Sequence, residues 1–189
     1  VKPFAALVVL RIAPDLLCTR MRERLSEIGE GLDDIERIEE LERHTQSDGI
    51  HLVNRWYARQ RVPAMLRDRL GADEISWIDR AVWSHDGTGC DWSIEPSFGS
   101  GGIRCAGSTR FEEAMGGRGA RVSFAGQLDI EPSFMVAIAG PFQGPVRMLA
   151  ETIATTLIPK NLRTAAEVAA SLPALAQEGS VVKAKPGIG

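Results

Sequence analysis

The stretch ISWIDRAVW, residues 75–83, sets one carboxylate in a line of apolar side chains: at strand spacing Ile75, Trp77, Asp79, Ala81 and Trp83 share a face. Two readings are open for it. Desolvated in a pocket, Asp79 is a group that can hold or move a proton. On a solvated face it pairs with Arg55, Arg80 or Arg104 and is structural. Asp91 and Glu95 are weaker candidates of the same kind. Residues 101–113, GGIRCAGSTRFEE, raise the matching question for a thiol. Here Ile103, Cys105, Gly107, Thr109 and Phe111 alternate with Arg104, Ser108, Arg110 and Glu112, so Cys105 is expected to point inward, where a reduced cysteine behaves as a small hydrophobe. A nucleophilic cysteine needs a base and an anion-stabilising group, and the separated His44, His51 and His85 spell out no such arrangement. Zinc held by Cys90, Cys105 and His85 lacks the CxxC or HExxH spacing of a metal motif. Neither a metal nor a cofactor is expected.

Trp56, Trp77, Trp83 and Trp92 raise a third chemistry, a stacking platform for single-stranded nucleic acid. Such platforms work beside a basic groove, and this chain carries 22 Lys and Arg against 25 Asp and Glu, a net charge of −3. Nucleic acid is therefore not an expected partner, and the rings are read as core or pocket wall. The glycines of FGSGG and MGGRG match neither phosphate-binding pattern and are read as turns.

The elements that must position these residues follow from patterning. FAALVVL, residues 4–10, reads as a buried strand; it is too short to span a bilayer and lacks the basic leader of a secretion signal. With Cys18, Cys90 and Cys105 as free thiols, a cytoplasmic protein without an integral membrane span is expected; one Cys90–Cys105 bridge is the alternative. Pro14 and Asp15 open a helix through residue 28, with Leu17, Met21, Leu25 and Ile28 at helical spacing and Gly29 and Gly31 ending it. Residues 33–62 divide at a polar turn, Gln46 to Gly49, into two long strands, although Ile35, Ile38 and Leu41 also fit a helix. A short helix runs from Pro63 to Gly71. Four strands follow in EISWIDRAVWS, GCDWSIEPS, GGIRCAGSTRFEE and ARVSFAGQLDIE, separated by glycine-bearing breaks and so expected to pair in antiparallel sequence. Beyond Pro145 a long helix carries Val146, Leu149, Ile153, Leu157, Leu162 and Val168 as an apolar stripe, with Pro159 kinking or dividing it. The length suits one domain, residues 1–172, with 173–189 as an unpatterned tail.

Strand, helix, six strands and a long final helix is α+β order. Read with GADEISWIDRAVW, WSIEP, GGIRCAGSTRF, ARVSFAGQLDI and PKNLRTAAEV, it resembles the START-like or SRPBCC superfamily over residues 3–172, and within it an uncharacterised bacterial branch of DUF2505 type. The resemblance implies a helix-grip fold, in which a curved antiparallel sheet of about seven strands wraps around the long C-terminal helix. It also favours strand over helix for IERIEELERHT. No catalytic residue of the family carries over. What it implies is a wall of Trp56, Ala58, Trp77, Trp83, Trp92, Ile94, Cys105, Phe111, Phe124 and Leu128, faced by Leu149, Ile153 and Leu157 on the helix; Asp79, from its place in the strand, joins the candidate ligand-binding residues. The function implied is binding of a small hydrophobic or amphipathic molecule, such as a lipid, fatty acyl group or aromatic polyketide-like compound, between sheet and helix. A cyclase- or dehydratase-like enzyme using Asp79 is the alternative, and a module without a small ligand, such as a homodimer, the third reading.

Overall fold

The computed structural model of the chain describes residues 2–64, 67–68, 71, 73–97, 102–134, 136 and 143–174. Its elements, in order, are β1 (Lys2–Leu10), α1 (Pro14–Glu23), α2 (Leu25–Glu30), β2 (Ile35–Gln46), β3 (Gly49–Arg61), β4 (Glu74–Trp83), β5 (Gly89–Pro96), β6 (Ile103–Ala114), β7 (Gly119–Ile130) and a helical turn at Pro132–Phe134. The long C-terminal helix, α3, then runs as an α-helical part (Gln143–Thr152), a π turn (Ile153–Leu157) and a second α-helical part (Ile158–Ser171). Residues 2–10 and 35–130 supply one antiparallel sheet of seven strands in the order β1-β7-β6-β5-β4-β3-β2. This is the helix-grip arrangement, and β2 is a strand, as the resemblance required.

Cross-strand register turns the period-2 patterns into continuous inward rows. Ile50, Trp83, Cys90, Thr109, Phe124 and Ala6 lie in one row; Leu52, Ala81, Trp92, Gly107, Gly126 and Phe4 in the next; Asn54, Asp79, Ile94, Cys105 and Leu128 in a third. Trp56, Trp77 and Pro96 make a fourth. The second row has room for its tryptophan because two members lack a side chain: a Cβ at Gly107 would stand 2.6 Å from Trp92 Cη2, and one at Gly126 2.7 Å from the same atom.

Two expectations about the helices are corrected. The N-terminal helix is interrupted at Arg24, whose backbone leaves the helical region at φ −122°, ψ 29°. The break goes with a clamp: the buried Arg24 donates through Nη1 to Pro173 O at 2.7 Å and through Nε and Nη2 to the Glu27 carboxylate, while Arg20 Nη1 donates to Ala169 O at 3.1 Å. Two guanidinium groups thus sit at the carbonyl-rich end of α3, where charge and hydrogen bonding both favour them. The C-terminal helix, in turn, is continuous past Pro159, but its stripe changes phase. Val146, Ala150 and Ile153 are buried, and among the described side chains the next buried one is Ile158, five positions on instead of three or four. Ile158 N–H donates to Ile153 O across the π turn, which absorbs the extra residue immediately before the proline. The second half then buries Asn161, Ala165 and Ala169, and leaves Leu157, Leu162 and Val168 only half-buried. Of the helix expected from Pro63 to Gly71, Ala64, Arg67 and Asp68 are helical and residues 65, 66, 69 and 70 lie outside the described set.

Candidate functional site

Between the concave face of β3–β6 and the second half of α3 lies an apolar cavity of about 60 Å³, part of a cleft of about 620 Å³ when counted out to its open mouth. The sheet side is made by Trp56, Trp77, Asp79, Ala81, Trp83, Cys90, Trp92, Ile94 and Thr109; α3 contributes Ile158, Asn161, Leu162 and Ala165; Met21 and Leu25, one from each side of the Arg24 break, complete the wall. A smaller cavity of about 20 Å³ adjoins it, sharing Trp77, Ile94 and Ile158 and lined further by Cys105 and Ile153.

Trp56, Trp77, Asp79, Trp83 and Trp92 come together in the main cavity, and Cys105 and Ile153 in its neighbour. Phe111 and Phe124 are not wall residues. Both point inward and are buried, but α1 packs over β6 and β7 at that end of the sheet and turns their positions into core. Phe111 lies behind Trp83 with ring centroids 6.3 Å apart, and Phe124 is among the most deeply buried side chains. The side chain of Leu149 lies outside the described residues. Asn161 was missed altogether. Its one signal was a polar residue in the apolar spacing Ile158, Asn161, Leu162, Ala165, concealed by the stripe being continued in one phase through the π turn.

Electrostatics distinguish Asp79 from the surface carboxylates. Asn54, opposite it in register and buried, donates through Nδ2 to Asp79 Oδ2 at 3.4 Å, a long bond. Burial pushes the Asp79 carboxyl up from 3.8 to about 6, only partly opposed by Asn54 and by the nearby Trp56 indole. Although Asp79 keeps some accessible surface, it adjoins a narrow cavity with little room for water, and burial governs its ionisation. Arg80, one expected partner, bridges to Glu95 on the other face at 3.6 Å. Asp79 thus stands in the cavity wall with Asn54 as its hydrogen-bond partner. The thiols of Cys90 and Cys105 are also raised by burial, Cys105 to about 12. All three cysteines are free and buried. Among the described residues no three His, Cys, Asp or Glu side chains converge as metal ligands.

The indole donors are unequal. Trp92 Nε1 donates to Thr109 Oγ1 at 3.2 Å, whereas Trp56 Nε1, Trp83 Nε1 and Asn161 Nδ2, like Arg55 Nε on the other face of β3, are buried without an acceptor in hydrogen-bond geometry, Trp56 Nε1 lying near enough to the Asp79 carboxyl to favour its charge. The rings pack in pairs: Trp56 on Trp77 at 5.9 Å, Trp83 on Phe111, and Trp92 on Phe4 at 6.2 Å.

The architecture defines the class: this is a helix-grip fold, a curved seven-stranded antiparallel sheet with a long C-terminal helix. Solved structures carry the same fold at low identity. TTHA0849 from Thermus thermophilus superposes with a TM-score of 0.61 at 18% identity, over 89% of this chain and 97% of that one. The Zhui aromatase/cyclase from Streptomyces sp. R1128 gives 0.62 at 10% identity, over 89% and 91%. Ara h 8.0201 gives 0.56 at 14%, over 90% and 99%. No family profile matches the chain, and no curated protein sequence does. Among the described residues no helix is long and apolar enough to cross a membrane.

Proposed function

We propose that this protein binds a small hydrophobic or amphipathic molecule, of lipid, acyl or aromatic polyketide-like kind, in the cavity between the sheet and α3. One observation carries the reading: four tryptophans from three adjacent strands and a single carboxylate converge on an apolar, open-mouthed cavity facing the helix. Cavities that hold drug-sized ligands measure about 300–1,000 Å³, so a ligand of that size must widen the 60 Å³ interior by moving α3 or the α1–α2 break outward. The π turn at Ile153–Leu157, followed by a proline without an N–H, is the part of α3 best suited to give. Under this reading residues 1–172 act as one cytoplasmic START-like domain of DUF2505 type, and 173–189 are an appendage.

The test is native mass spectrometry of freshly purified protein, with extraction of whatever is bound, followed by titration of an apolar probe into wild type, Trp77→Ala and Trp83→Ala. Saturable binding weakened by both substitutions supports the pocket. Unchanged binding by both folded variants places the ligand elsewhere, and no binding by wild type across lipids and aromatics moves the reading to an interaction module. A cyclase- or dehydratase-like reaction is the second reading, favoured by Asp79 standing in the cavity wall with its carboxyl raised to about 6. The structural likeness to an aromatase/cyclase is of fold. Turnover of an identified substrate left unchanged by Asp79→Asn across pH removes this role.

A further inference from the structure

The unpaired donors of the cavity say what kind of molecule it takes. Trp56 and Trp83 on the sheet and Asn161 on the helix line facing walls of one cavity, and Trp56 Nε1, Trp83 Nε1 and Asn161 Nδ2 are buried beside it without an acceptor in hydrogen-bond geometry. Each residue is more than nine-tenths buried: Trp56 and Trp83 are 6% exposed and Asn161 4%. A buried donor without an acceptor is costly, and native proteins leave few of them. Three around one cavity are satisfied together by a guest that brings oxygen acceptors.

The charge of the guest follows from the same wall. Among the described lining residues Asp79 is the only ionisable group besides the Cys90 thiol, and no Lys, Arg or His reaches the cavity. A carboxylate ligand would enter an apolar site beside an acid and without a counter-charge, which penalises it twice, by desolvation and by repulsion. A cation over the tryptophans is the other use of such rings. Here, however, each ring of the three stacked pairs has a face covered by another aromatic, and the groups left without partners are the positive N–H edges of Trp56 and Trp83 together with the Asn161 amide hydrogens. These meet an oxygen well and a cation badly.

We propose that the ligand is a neutral, oxygen-bearing apolar molecule, a ketone, quinone, ester or thioester, whose acceptor oxygens are held by Trp56 Nε1, Trp83 Nε1 and Asn161 Nδ2, and that free fatty acids and organic cations are excluded. This rests on the cavity being the binding site and narrows what that site accepts.

The experiment is a matched probe series followed by calorimetry and by the indole N–H signals of ¹⁵N-labelled protein: 2-acetylnaphthalene, 2-ethylnaphthalene, 2-naphthoate and (2-naphthylmethyl)trimethylammonium. The ketone is expected to bind roughly tenfold more tightly than the hydrocarbon and than the carboxylate, the gain of a net hydrogen bond or two. The Trp56 and Trp83 indole signals shift with the ketone and not with the hydrocarbon, while that of Trp92, already bonded to Thr109, holds still. In Asn161→Leu the preference for ketone over hydrocarbon shrinks several-fold with no loss of stability of the free protein, since the substitution removes an unpaired donor. Should Asn161→Leu fail to fold, the wild-type indole shifts decide alone. Equal affinity for hydrocarbon and ketone, tighter binding of naphthoate or of the ammonium probe, or unmoved Trp56 and Trp83 signals would each overturn the acceptor assignment while leaving the pocket standing. Failure of all four probes to bind overturns the pocket and the assignment together.

Discussion

Asp79→Asn should make the protein more stable at neutral pH, because the wild-type carboxyl is ionised there at a cost. The sign follows from the proton balance. In the unfolded chain Asp79 titrates near 3.8, and in the folded protein near 6 because burial disfavours the charge. Between those values the folded state holds the proton more tightly, so the group's contribution to stability is fully present below pH 3.8 and is lost as pH rises through 6. Taken at face value the displacement corresponds to roughly 3 kcal/mol. The Asn54 Nδ2 bond is already part of that value; water entering through the cavity mouth softens the cost further, and about 1–2 kcal/mol is the working expectation. Asparagine keeps the shape and an oxygen to accept from Asn54 but brings an amide donor in place of the second oxygen, which offsets part of the gain from removing the charge. Urea denaturation of both proteins from pH 4 to 8 reads the effect as a difference. Subtraction matters because Glu27, Glu39, Glu40, Asp48 and Asp86, each held low by hydrogen bonds, add stability with rising pH in both proteins alike. Asp79→Asn should be close to wild type at pH 4, pull ahead as pH rises to 6 and hold a constant lead above that. Parallel curves, or an Asp79→Asn protein that is the less stable at pH 8, would refute the claim that a desolvated carboxylate lines the cavity.

Three other outcomes are expected. Gly107→Ala should cost more than about 2 kcal/mol and disturb the near-ultraviolet dichroism, since the new methyl would strike Ala125 O and the Trp92 ring; a melting temperature within a degree of wild type would contradict the packing. Cys105 should react slowly with a large polar thiol reagent in the folded protein, and Cys105→Ala should lower stability by about 1 kcal/mol without abolishing ligand binding or turnover; fast stoichiometric modification coupled to lost turnover would make it a reactive thiol. Arg24→Met should cost about 1–3 kcal/mol and speed amide exchange over the last turn of α3, because the Pro173 carbonyl loses its charged donor; unchanged protection there would show that the clamp is idle.

What could be read from the sequence, and what could not, divides along the period of each element. In strands the period is two whatever the neighbours do, so the alternation of ISWIDRAVW and of IRCAGSTRF placed Asp79, the tryptophans and Cys105 on the inner face, and β2 became a strand once the helix-grip order was invoked. Facing inward is not the same as lining a cavity. Phe111 and Phe124 share the inner face, but only the packing of α1 over β6 and β7 decides that their end of the sheet is filled. The C-terminal helix failed differently. A stripe carried forward at three and four residues from Ile153 arrives at Leu157, whereas the π turn delivers Ile158 and then Asn161. One inserted residue, invisible to a 3.6-residue period, therefore hid the helix's polar contribution to the site.

That phase change also bears on where the few polar groups of the apolar cavity stand. Had the helix continued without the π turn, the position after Ile153 would be Leu157. Instead the wall carries Ile158, Asn161 and the small Ala165, which leaves room and puts an amide where the sheet already presents two indole N–H groups and an acid. None of these groups stabilises the empty protein: the unpaired donors and the desolvated carboxyl each cost free energy that an aliphatic residue at the same place would not. Elsewhere the same interior is satisfied, as where Trp92 donates to Thr109 and Arg20 to Ala169 O. The donors beside this cavity have their missing partners in whatever enters it, and the probe series above asks for them by their chemistry.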